Sequence, residues 1–135
     1  MSARHPIIAV TGSSGAGTTT VKTTFEWIFR REKIDAAVVE GDAFHRFDRM
    51  AMRQQMKEAE AAGNKNFSHF GPDANVFGEL EELFRSYSLS GKARSRTYIH
   101  DAEEAARYGG EPGTFTPWKE ISEGYALSET QPGIV

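Results

Sequence analysis

The spacing of apolar positions changes character along this chain. Residues 6–11 form a short, apolar, β-branched run halted by Gly12, the pattern of a strand buried on both faces. Residues 18–31 predict a helix, because Val21, Phe25, Ile28 and Phe29 recur on one side at helical spacing. Its three leading threonines, Thr18, Thr19 and Thr20, are poor interior helix formers but acceptable in a first turn. Residues 34–39 read as a second buried strand. The order is strand, glycine loop, helix, strand, and a right-handed crossover makes the two strands parallel.

Further on, residues 47–62 predict a helix with Met52 and Met56 on one face, stopped by Gly63 and Asn64. Residues 66–73 form an aromatic-rich loop, and residues 75–87 a helix with Val76, Leu80, Leu83, Phe84 and Tyr87 in one stripe. Residues 88–92 read as a turn. Residues 93–100 alternate, with Arg94, Arg96 and Tyr98 on one face and Thr97 and Ile99 on the other, as a strand or hairpin arm does. Beyond His100 the chain is polar, glycine-rich and weakly patterned.

Composition narrows the picture. The 135 residues suit one domain, and the absence of cysteine excludes disulfides, thiolate metal sites and a cysteine nucleophile. A net charge of −3, from 16 Lys+Arg against 19 Asp+Glu, argues against sequence-independent nucleic-acid binding. No membrane-length apolar run and no basic-then-apolar leader appear, so the expectation is a cytoplasmic protein without membrane or nucleic-acid partners. Ile, Leu, Val and Phe number 26, with 12 in residues 1–47 and 7 in residues 89–135. The front can build a core, whereas the back resembles the covering of a core that the chain does not supply.

The strongest chemical signal is Gly12-Ser13-Ser14-Gly15-Ala16-Gly17-Thr18-Thr19. It has the spacing of a phosphate-binding P-loop, with Thr18 at the position usually held by lysine, between a predicted strand and a predicted helix. Glycines let backbone N–H groups converge on a phosphate, the helix start adds its positive dipole, and Thr19 is placed to offer its hydroxyl to Mg²⁺. The alternative is a glycine-rich turn before an ordinary helix. Without the lysine another cation must meet the phosphate charge, and Lys22 is the nearest candidate, though it also suits a solvent-facing position.

Glu40-Gly41-Asp42 follows the second predicted strand, and ligands of open parallel sheets bind at the carboxyl ends of strands. Asp42 there suits a general base as well as it suits a helix cap. Asp42, His45, Arg49 and Arg53 are spaced by 3, 4 and 4, so a helix over residues 43–53 would line all four along one face. With a phosphate loop in place, the preferred reading is a clamp for a phosphorylated, hydroxyl-bearing substrate rather than a solvated helix face. His100, with Arg94 and Arg96 nearby, would complete it.

Residues 10–18, the run Glu40-Gly41-Asp42-Ala43-Phe44-His45-Arg46-Phe47, the run Phe67-Ser68-His69-Phe70 and the run Arg96-Thr97-Tyr98-Ile99-His100-Asp101 together resemble the bacterial phosphoribulokinases. The resemblance reaches to about Glu123, and that family also carries threonine at the Thr18 position. It implies an α/β P-loop kinase fold, a parallel sheet with helices on both faces. It implies MgATP-dependent phosphorylation of the C1 hydroxyl of ribulose 5-phosphate in the Calvin cycle, with Asp42 as catalytic base. His45, Arg49, Arg53 and His100 would meet the sugar phosphate. Ser14, Thr18 and Thr19 would surround nucleotide and magnesium, and Thr19 and Asp42 are the candidate metal ligands. Members are usually homo-oligomers activated by NADH. Residues 1–124 thus read as the N-terminal part of a longer kinase domain and residues 125–135 as an unmatched tail. The competing readings are a non-catalytic nucleotide-binding fragment, or another P-loop small-molecule kinase such as a uridine kinase.

Overall fold

The computed structural model describes residues 4–13 and 15–122. Ser14, and the domain boundary expected after residue 124, lie outside the described residues. The chain forms two compact units.

Among the described residues, the first unit comprises residues 4–13, 15–40, 83–94 and 120–122. Its main helix is α1 (Thr18–Glu32), one residue longer than its periodicity predicts. Arg30 and Arg31 stand in its last turn, where cations complement the helix dipole, and Lys33 ends it in the left-handed conformation. The predicted apolar face is only half covered. The Phe25 and Phe29 rings lie 5.8 Å apart, but no α1 residue is fully buried and Val21 is 40% exposed. Val38, Leu83, Ala93 and Ile121 are the unit's buried apolar side chains.

The expected parallel strands at residues 6–11 and 34–39 are not formed as strands. Both segments run without a hydrogen-bonded ladder, and Ile8 is 63% exposed. A strand exists only through its neighbours, and a doubly buried parallel strand needs a partner on each edge. Those partners are not among the described residues. The sheet that does form there pairs β1 (Lys92–Ser95) with β2 (Lys119–Ser122).

The second unit comprises residues 41–82 and 95–119. It starts with a 3₁₀ turn, Gly41–Phe44, followed by α2 (Arg49–Ala61). Asp48 caps α2 by accepting the Ala51 N–H at 2.9 Å. The helix premise over residues 43–53 therefore fails. The Arg46 N–H donates to the Ala74 carbonyl, and the Val76 N–H to the Phe44 carbonyl, both at 2.8 Å. Those backbone groups are committed to the segment before α3 (Phe77–Ser90), so the helix begins only past them.

The alternation over residues 93–99 is present: Ala93, Ser95, Thr97 and Ile99 are buried while the residues between them are not. Residues 97–99 pair with residues 114–116, through Ile99 N–H to Thr114 carbonyl at 2.9 Å and Thr116 N–H to Thr97 carbonyl at 2.9 Å. The weakly patterned stretch after His100 contains α4 (Ala102–Tyr108). Its warrant is capping rather than periodicity: Asp101 accepts the Glu104 N–H, Glu103 and Glu104 occupy the first turn, and Gly109 closes it. Phe44 and Ile99 are the large side chains that the unit buries almost completely. No helix among the described residues is long and apolar enough to cross a membrane.

Gly113 fixes where α2 begins, since its carbonyl accepts the Arg49 N–H at 2.8 Å. Its φ is +82°, and a Cβ there would stand 2.8 Å from the Arg49 Cβ. Gly109 has a similar φ of +78° with open space around it. Gly109→Ala is expected to cost roughly 1–2 kcal/mol for the left-handed backbone alone, and Gly113→Ala distinctly more, in urea-unfolding midpoints compared side by side.

Candidate functional site

The two elements singled out from the sequence belong to different units and are described separately. In the first, the loop before α1 is tightly curled. The Ala16 N–H donates to the Ser13 carbonyl at 3.0 Å, and Gly15 and Gly17 hold φ values of +79° and +82° that only glycine adopts without strain. A Cβ on Gly12 would stand 3.1 Å from the Ala16 Cβ and 3.2 Å from Thr18 Cγ2, so the loop closes on itself at that point. Among the described residues no side chain caps the start of α1, so its first N–H groups have no side-chain acceptor there. This cradle fits a phosphate, and the exposed Thr19 stands in the first turn beside it. Lys22 is committed elsewhere within the unit: its Nζ is 3.2 Å from Glu40 Oε1, in a pair whose side chains are mostly covered.

In the second unit the 3₁₀ turn brings Asp42 and His45 together, because residues three apart eclipse in that geometry. His45 Nε2 donates to Asp42 Oδ1 at 3.3 Å. From the other side, His100 Nε2 donates to Asp42 Oδ2 at 3.0 Å. The far nitrogen of His100, Nδ1, lies 3.0 Å from Glu104 Oε2, which also accepts the His100 backbone N–H at 2.7 Å. Asp42 is thus a half-exposed carboxylate with an imidazole on each oxygen. The hydrogen bond from His45, and then that from His100, hold its pKa down to about 2 against the opposing effect of burial. The Asp42 hydrogen bond in turn raises the pKa of His45 above the ordinary histidine value.

Arg49 donates from Nη2 to the His100 carbonyl at 2.8 Å and lies 6.0 Å from the Tyr98 ring centre. The Tyr98 ring stands edge-on to His100 at 4.9 Å and to His45 at 6.4 Å. Asp42, His45, Arg49 and His100 therefore converge, but through a turn, a helix start and a strand-like arm rather than along one helix. Arg53 lies exposed one turn further along α2 and pairs with no described residue.

Arg96, expected among the cations of the clamp, is used differently. Its guanidinium donates to the Ala43 carbonyl at 2.8 Å and to the His45 carbonyl, and it stacks over the Phe115 and Trp118 rings. It holds the turn from behind. Arg94 is exposed in the other unit. Sequence reasoning missed Asn75 and Glu104. Glu104 had a signal, the i,i+4 spacing from His100 beside an Asp101 cap, whereas Asn75 had none.

Both oxygens of Asp42 face N–H donors. The pair also sets a pH window. The lowered pKa of Asp42 contributes stability that is present above 3.8 and lost as pH falls toward about 2. The raised pKa of His45 contributes stability that is complete below 6.5 and lost as pH rises through its folded value. The Tm advantage of the wild type over Asp42→Asn is expected to be widest between those limits and to narrow on both sides, in thermal melts across pH.

The chain is 61% identical over 121 residues to the chromosomal phosphoribulokinase of Cupriavidus necator, covering 90% of this chain and 41% of that protein. It is 57% identical over 120 residues to a phosphoribulokinase of Nitrobacter vulgaris, covering 89% and 41%. The structure superimposes on that of phosphoribulokinase from Rhodobacter spheroides with a TM-score of 0.74 at 49% identity, over 87% of this chain and 39% of that one, which places it in the α/β P-loop kinase fold. The chain spans about two fifths of the length of these relatives. The model of the phosphoribulokinase / uridine kinase family matches residues 7–127, and the chain belongs to that family.

Proposed function

We propose that this sequence serves a phosphoribulokinase, transferring phosphoryl from MgATP to the C1 hydroxyl of D-ribulose 5-phosphate, a Calvin-cycle reaction. One observation carries the reading. A carboxylate stands between two imidazoles, with a guanidinium on the carbonyl of one of them, and that combination suits an acceptor bearing both a reacting hydroxyl and an anionic group. A nucleoside acceptor such as uridine has no phosphate to engage that cationic set. The sequence motifs and the relatives' names support the same reading.

In this proposal the loop of Gly12, Ser13, Ser14, Gly15, Ala16, Gly17 and Thr18 takes the nucleotide phosphates, and residues 1–124 act as the N-terminal part of the kinase domain. Thr19 offers its hydroxyl to magnesium, which would supply charge neutralisation at the phosphates. Asp42 accepts the proton of the attacking hydroxyl, while His45, Arg49, Arg53 and His100 take the sugar phosphate. A cytoplasmic setting and a homo-oligomer belong to the same reading.

The resting geometry adds a requirement. A carboxylate held to about 2 is a feeble base. The donors that depress it, His45 and His100, are the groups assigned to the phosphate. When the phosphate draws their N–H groups away, the carboxylate loses its stabilising hydrogen bonds and becomes basic as the acceptor arrives. Base strength and substrate occupancy are thereby coupled.

A coupled ADP-release assay on the protein with ribulose 5-phosphate and with uridine tests the reading. Turnover with the sugar phosphate is expected, and turnover with uridine alone would overturn it. Asp42→Asn is expected to lower kcat by about 10²–10⁴-fold with little change in KM for ribulose 5-phosphate. An unchanged kcat would reduce Asp42 to a turn residue.

A further inference from the structure

Gly113 is buried, and its backbone is tied to two elements of the second unit. Its N–H donates to the Ile99 carbonyl at 2.6 Å, and its carbonyl accepts the Arg49 N–H at 2.8 Å. A third contact runs through the side chain it lacks. A Cβ on Gly113 would stand 2.8 Å from the Arg49 Cβ and 3.2 Å from both Cδ and Nε. The stem of Arg49 therefore lies along the bare backbone of Gly113. At the far end of that stem, Nη2 donates to the carbonyl of His100, the residue next to Ile99. Helix stability does not call for an arginine here. Arg49 is the first residue of α2, where a cation opposes the helix dipole. Its guanidinium is exposed, and its other N–H groups donate to no described residue.

We infer that Gly113 is a positioning residue for Arg49, a bare stretch of backbone that seats the arginine stem and aims the remaining guanidinium N–H groups at the anionic part of the acceptor. An arginine held in place before binding has less side-chain freedom to lose when an anion arrives. The seat has no slack. The nearest atom to an added Cβ is the Arg49 Cβ, which the helix start fixes, so swinging the tip of the side chain cannot relieve the contact. The start of α2 would have to draw back, and the atoms at 3.2 Å would be turned aside. Gly109 provides the comparison, because it has a φ of +78° against +82° at Gly113 and nothing within 4 Å of an added Cβ. The aim at an anion rests on the function proposed above. The seating of the stem does not.

The test is nitrogen-15 relaxation at the arginine Nε positions of the full chain. Arg49 Nε is expected to be restrained in the wild type and in Gly109→Ala, and released in Gly113→Ala. Arg96, whose Nε donates to the Ala43 carbonyl, serves as internal reference and is expected to stay restrained throughout. An Arg49 that is mobile in the wild type, or still restrained in Gly113→Ala, would overturn the inference. Loosening of Arg49 and Arg96 together would reduce Gly113 to a general folding residue. Should Gly113→Ala not fold, Gly113→Asn carries the same Cβ on a residue that accepts the left-handed backbone more readily, and the same outcomes decide. Ribulose 5-phosphate titrated into the same samples is expected to bind roughly 10-fold more weakly to Gly113→Ala and unchanged to Gly109→Ala. Equal affinity with a released Arg49 would remove the aiming role. If the wild type binds no ribulose 5-phosphate, the proposed function fails, while the relaxation of Arg49 still decides whether Gly113 seats it.

Discussion

The guanidinium of Arg96 holds the turn on which the site is built. It lies 3.6 Å from the Phe115 ring centre and 4.6 Å from that of Trp118, and it donates to the carbonyls of Ala43 and His45. Desolvation of this half-buried cation is unfavourable, as the downward shift of its pKa shows. Two aromatic faces and two carbonyls offset the cost. The return is rigidity at the residues that need it, because the pinned carbonyls flank the turn that sets Asp42 against His45. Phe44, buried between them in sequence and edge-on to Trp118 at 5.8 Å, ties the same turn into the core.

On that support sits a small electrostatic device. Asp42 is an acceptor for two rings, and each ring is steadied from behind, His45 by Asn75 and His100 by Glu104. The far partners differ in kind. One is a neutral amide and the other a carboxylate. Under the proposed function, the groups that restrain this carboxylate are those that an anionic acceptor would claim.

The first unit shows the opposite balance. Its glycine loop and helix are formed, yet the segments on either side lack ladders, and Ile8, Val10, Ile34 and Trp27 remain exposed. Local chemistry is enough for a tight glycine turn and a helix, but a buried parallel strand draws its stability from neighbours. The tilt of apolar residues toward residues 1–47 marks the same thing: side chains patterned for a core that the described residues do not close over them.

What could be read from the sequence was local. Residues 47–62 signalled a helix, found as Arg49–Ala61, because capping and periodicity lie within one stretch of chain. The alternation over residues 93–99 reported its own burial for the same reason, and the glycine loop announced itself through positions that demand positive φ. Asp42, His45, Arg49 and His100 were legible as residues but not as a geometry. A single helical face was expected, and the backbone groups of Phe44 and Arg46 instead bind the segment before α3, which delays the helix to Arg49. The role of Arg96 and the presence of Asn75 were decided by tertiary contacts with residues far along the chain. Spacing carries information about neighbours on one element; which side chain an arginine stacks on, or which nitrogen an asparagine faces, depends on elements that only folding brings together.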